Sequence, residues 1–182
     1  MAKNTKEKPK QIEKPCLILV EGVTDEKFFN SLLKHLQIDH ELYDIWPSGG
    51  KEELLKTIKI LEKVPGFDRL KLLMIFLDAD ENSNETFKRV RDALSRAELP
   101  VPARQFELVE SKISVIAGTI PPEEDTGTFK KAKFRIALAL ENLPGIDSAS
   151  QRDLFDFNSS TLSPVREALK NINRFAEPID NR

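Results

Sequence analysis

The chain is short of the side chains that most often carry enzyme chemistry: one cysteine, two histidines, one tyrosine and one tryptophan in 182 residues. A single cysteine excludes a disulfide framework and a multi-cysteine metal site. Cys16 opens an apolar run and reads as a small buried thiol, not a nucleophile. His35 and His40 stand in no ligand spacing to each other, and no Ser-His-Asp or Cys-His arrangement is evident. Long hydrophobic runs are also missing. None approaches membrane-spanning length, and the leading MAKNTKEKPK lacks the apolar core of a signal peptide. The expected location is the cytoplasm, with no membrane partner. A net charge of -2 gives no global pull on nucleic acid, so such a partner would have to meet a local basic patch.

What is present is an ordinary globular composition, 40% hydrophobic and 32% charged, in a chain long enough for one domain with a real core. Residues 1–14 carry Lys3, Lys6, Lys8, Lys10 and Lys14 with almost no apolar content, the pattern of a flexible basic tail. Residues 15–182 read as a single domain with a C-terminal helical extension. Apolar runs predict strands at Cys16–Val20, Leu42–Trp46, Leu70–Leu77, Arg104–Val109 and Ile113–Ile120. Helical spacing predicts helices between them, the first capped by Thr24 and burying Phe28, Phe29, Leu32 and Leu33. Further helices are expected around Leu54–Leu61, after Asn82, around Phe134–Leu140 and near Pro164–Phe175. Strands alternating with helices describe an α/β fold with right-handed crossovers and a mainly parallel sheet.

Two of the apolar runs end abruptly in acids. Leu17–Val20 runs into Glu21-Gly22, and Leu72–Leu77 into Asp78-Ala79-Asp80. Runs of this kind suit strands buried on both faces, and ligands of open α/β sheets gather beyond the carboxyl ends of such strands. Asp78 and Asp80, two apart in extended geometry, point to the same side and repel unless a cation joins them. Magnesium suits such a site, since it takes hard oxygen ligands and commonly uses one or two carboxylates plus substrate phosphates; manganese is the alternative. Glu21 would complete the metal shell or act as general acid/base, with Glu81 an outer ligand. An acid after a strand is also a common helix cap, so each motif is weak alone; the pairing of the two carries the metal reading.

Glu21-Gly22 after the first strand and Asp78-Ala79-Asp80 after the third, with two helices and a strand between, resemble the Toprim domain, the catalytic α/β module of primases, topoisomerases and OLD-type nucleases. The resemblance covers about residues 15–120 and extends to small stand-alone Toprim-like proteins, which also carry a Gly-Gly-Lys matched here by Gly49-Gly50-Lys51. It implies a three-layer α/β/α sandwich, Glu21 as general acid/base, and Asp78 and Asp80 holding Mg²⁺. The chain departs from those relatives where Gly127-Thr128 leads into the basic Phe129-Lys130-Lys131-Ala132-Lys133 instead of an acidic helix.

Gly49, Gly50 and Lys51 read as a phosphate contact at a helix N-terminus, or equally as a plain turn before a helix. Lys130, Lys131, Lys133 and Arg135 form a basic cluster suited to a nucleic-acid backbone, or an ordinary solvated helix face. Tyr43 falls within a predicted strand, which speaks against DNA strand passage. Three functions remain open. The first is a Mg²⁺-dependent nuclease acting on DNA or RNA. The second is a non-catalytic module that binds nucleic acid, nucleotide or a protein partner. The third is a phosphatase or phospho-acceptor using Asp78. A homodimer through an edge strand or the C-terminal helix also stays open.

Overall fold

The computed structural model describes residues 10–79, 82–120 and 160–176. Among these residues four strands form one parallel sheet: β1 (Cys16–Val20), β2 (Tyr43–Pro47), β3 (Leu72–Asp78) and β4 (Ser114–Ile120), in the order β2-β1-β3-β4. Helix α1 (Val23–His35) joins β1 to β2, α2 (Lys51–Ile60) lies between β2 and β3, α3 (Ser83–Arg96) follows β3, and α4 (Ser163–Lys170) comes last. The α/β architecture with a parallel sheet is the one expected.

The apolar runs divide by parity, because successive strand side chains point to opposite faces. Ile18, Val20, Met74 and Phe76 pack against Phe29, Leu32 and Leu33 of α1 and against Val165 and Leu169 of α4. Leu17, Leu19, Leu73 and Ile75 pack against Leu54 and Ile58 of α2 and against Val90 and Leu94 of α3. Helices therefore cover both faces, which makes three layers. Strand order explains which helix goes where. The chain steps from β1 outward to β2, then reverses to β3 and β4, and right-handed crossovers put α1 on one face and α2 and α3 on the other. No helix among the described residues is long and apolar enough to cross a membrane.

Several expectations need correction. Helix α1 is capped at Gly22, not Thr24, because Asp25 reaches back to accept the Gly22 amide at 3.1 Å. Strand β2 starts one residue late, since His40–Leu42 forms a short 3₁₀ turn headed by Asp39. Arg104–Val109 is not a strand. The Glu107 carboxylate turns back to accept the amides of Ala103 and Arg104, each at 3.0 Å, and Phe106 takes the left-handed conformation at φ 63. Only Val109 makes a bridge, antiparallel to Val115. The C-terminal helix is α4 followed by a 3₁₀ turn at Asn171–Phe175, with Pro164 in the first turn of α4. The helix expected around Phe134–Leu140 lies outside the described residues.

The segment expected to be a free tail through Lys14 is strapped to the body from Lys10 onward. The Ile12 amide donates to the Pro65 carbonyl at 2.8 Å, and the Ile12 side chain is fully buried beside Leu61 and Leu70. Lys14 donates to the His40 carbonyl at 2.6 Å and faces Asp44. Lys10 reaches the Pro47 carbonyl at 3.2 Å and stands over the Trp46 ring. One buried isoleucine is worth about 1.5–3 kcal/mol. It is the largest single contact that holds the segment down, with the backbone bond and the lysine contacts beside it.

Candidate metal and phosphoryl site

In open α/β sheets the crevice forms where the strand order reverses, because the two adjacent crossovers leave in opposite directions and part at that point. Here the reversal lies between β1, whose helix leads to β2, and β3, whose helix leads toward β4. Both strands run parallel with Val20 opposite Phe76, so Glu21 and Asp78 emerge at the same edge. The sequence motifs thus end at the switch point of the described sheet.

Glu21 is held there from two directions. Its carboxylate Oε2 accepts the Asp78 backbone amide at 2.7 Å, tying the end of β1 to the end of β3. Its backbone carbonyl accepts the amides of Gly49 and Gly50 at 2.9 and 2.8 Å, while the Ser48 amide donates to the Val20 carbonyl at 3.0 Å. Gly50 adopts φ 126 and ψ 168, a region closed to residues with a Cβ, and this lets both amides turn toward Glu21. Of the two readings of Gly49-Gly50-Lys51, these backbone bonds describe the turn before a helix. The Gly49 and Gly50 donors are spent on the backbone of Glu21, so these glycines position the acid. Lys51, first in α2, is the cation of that loop.

Burial pushes the Glu21 carboxyl above its ordinary range. The Asp78 amide pulls it back, the Asp78 charge pushes it up, Lys51 lowers it and Asp25 raises it again, and the net direction is upward. A carboxyl raised in the folded state binds protons better there than when unfolded, so its contribution is fully present below the ordinary glutamate value, about 4.3, and is lost as pH rises through the folded value. Glu21→Gln in EDTA should therefore gain thermal stability relative to wild type as pH rises from 4 toward 7. A difference in melting temperature that stays flat or shrinks over that range would contradict the placement of Glu21.

Glu21 and Asp78 offer hard carboxylate oxygens at neighbouring strand ends, a donor set that suits Mg²⁺ or Mn²⁺ completed by water. Among the described residues no group of three or more metal-ligating side chains forms. Asp80 and Glu81, expected as ligands, lie outside the described residues, as do Lys130, Lys131, Lys133 and Arg135. Burial pushes the Cys16 thiol up to about 12, in keeping with an inert core residue.

The same edge holds a polar group that sequence patterns did not mark. Thr119, opposite Leu77 and buried near the end of β4, donates both its amide and its hydroxyl to Gln105 Oε1, at 2.9 and 2.6 Å. Gln105 in turn reaches Ser83 Oγ at 3.4 Å, at the start of α3. The link braces the loop before β4 against the helix that follows Asp78. Nothing in the spacing of Ser83, Gln105 and Thr119 announces it.

A family model described as "Protein of unknown function (DUF3226)" matches residues 15–127, a span that contains all four strands and both carboxylates. No curated protein and no solved structure matches the chain.

Proposed function

We propose that this chain, which belongs to the family described as Protein of unknown function (DUF3226), carries out Mg²⁺-dependent phosphodiester chemistry on nucleic acid as a Toprim-type nuclease. The observation that carries this reading is the 2.7 Å bond from the Asp78 amide to Glu21 Oε2, which joins two acids from separate strands at the topological switch point.

In this reading Asp78, with Asp80, holds the cation. When bound, the cation neutralises the acids and draws negative charge off the phosphoryl oxygens. Glu21 handles the proton. Its carboxyl is half-buried and raised, which brings it closer to the working pH of a general acid/base. One oxygen is fixed by the Asp78 amide, so the other is presented in a constant direction. Lys51, close enough for its charge to act on Glu21, supplies a positive charge for the phosphate at the start of α2.

Labelled single- and double-stranded DNA and RNA, incubated with Mg²⁺ or Mn²⁺, test the reading. Cleavage is expected to require the metal and to stop in EDTA. Asp78→Asn is expected to raise the metal concentration for half-maximal cleavage about tenfold or more, the scale seen when groups at metal sites are altered. Failure to cut any of the four substrates would move the function to the non-catalytic binding module.

A further inference from the structure

Helices α2 and α3 lie side by side on one face of the sheet and leave an open groove of about 270 Å³ between them. Each wall is a helical stripe at i, i+3, i+4 and i+7 spacing, and Leu55 and Ala93 form the apolar floor. The rims carry Lys56, Lys59, Arg89 and Arg96 against two acids, Glu52 and Asp92. The groove is therefore net positive in a protein whose total charge is -2.

Its cations differ in commitment. Arg89 pairs with Glu52 across the two helices, at the end nearest the sheet edge, and Lys56 pairs with Glu53 on its own helix at 2.7 Å. Lys59 and Arg96, at the far end, make no ion pair among the described residues and are exposed. The groove mouth lies beside the candidate site. Glu52 follows Lys51 directly, and Lys51 follows the glycines whose amides hold Glu21. At 1.5 Å per residue, Glu52 to Lys59 spans about 10 Å of α2, or about three phosphates of a stacked strand.

Resting on the nuclease reading, we propose that this groove is the track for the phosphate backbone of a single nucleic-acid strand leading away from Glu21 and Asp78, with Lys59 and Arg96 as its distal phosphate contacts. A narrow path between two helices suits one strand, whereas a duplex would need a broader basic face. Two cations at the far end that make no ion pair among the described residues give the strand a reason to run the full length of the groove.

The test is fluorescence anisotropy with short labelled oligo(dT) and oligo(rU) strands in EDTA, so that binding is read without turnover. Lys59→Gln combined with Arg96→Gln should weaken binding about tenfold and lower the slope of log K against log salt by about 1.4, the single-strand value for two phosphates. Lys27→Gln with Lys34→Gln on α1, across the sheet, removes equal charge and should change neither. All four side chains are exposed, and a thermal melt of each variant checks that it folds. Wild-type binding that does not respond to Lys59 and Arg96, or no wild-type binding, overturns the groove. So does tighter binding of a labelled polyglutamate peptide through the same two residues. Strand binding that depends on them, without cleavage under any metal, would instead retain the groove and remove the nuclease reading.

Discussion

Glu21→Gln is expected to cut metal-dependent cleavage by about 10²–10⁴-fold, the range a positioned general acid/base contributes. Glutamine keeps an oxygen at the position of Oε2, so the 2.7 Å bond from the Asp78 amide survives. The backbone carbonyl, and with it the clamp from Gly49 and Gly50, is untouched. What the variant loses is the proton-carrying carboxyl and one negative charge. Rates measured at saturating Mg²⁺ separate these losses. A defect that persists at saturation assigns Glu21 to proton transfer, and one that vanishes assigns it to the metal shell. Unchanged rates at every metal concentration would remove Glu21 from the chemistry altogether.

Gly66→Ala is expected to be the most damaging small substitution in the described structure. Gly66 sits at φ +86, where a Cβ is already strained, and an added Cβ would lie 2.0 Å from the Ile12 carbonyl oxygen. That oxygen belongs to backbone held by the Ile12 amide bond to Pro65 and by the buried Ile12 side chain, so it has nowhere to retreat. Two outcomes relieve the clash. Either the turn at Gly66 distorts, or the leading strap peels away and gives up the burial of Ile12, worth about 1.5–3 kcal/mol. Adding about 1 kcal/mol for the left-handed backbone, the loss is about 3 kcal/mol. For a protein of this size that lowers the melting temperature by about 6–12 °C. A double variant with Ile12→Ala distinguishes the routes. If the strap has already peeled, the second substitution costs almost nothing, and if it has not, the two losses approach additivity. A drop under about 2 °C would show that the strap does not pass over Gly66.

The leading strap and the loop before β4 show where local pattern runs out. Ile12 stands alone among lysines, and nothing in residues 1–14 predicts that it fills a slot whose walls come from Leu61, Pro65 and Leu70, 49 to 58 positions on. Arg104–Val109 alternates as a strand does, yet Glu107 finds better partners in the amides of Ala103 and Arg104 than a sheet edge would offer. The bracing of Thr119 by Gln105 is equally invisible, because its members share no period. In each case a contact between distant or irregular positions outweighed a weak local preference.

Sequence alone determined the buried strands, the helices that cover them and the two acids where β1 and β3 end. Apolar runs that stop at charges carry those features locally, and periodicity reports burial directly. The tertiary structure decided the rest. Strand order placed the reversal between β1 and β3 and set Glu21 Oε2 to accept the Asp78 amide at 2.7 Å, a bond that the motifs by themselves do not specify. It made the turn at Gly49 and Gly50 a clamp on Glu21, because their amides point where the neighbouring strand end lies. It also set α2 beside α3, which turned two ordinary charged helix faces into one basic groove. Chain order is a property of segments, whereas a site is a property of which segments become neighbours.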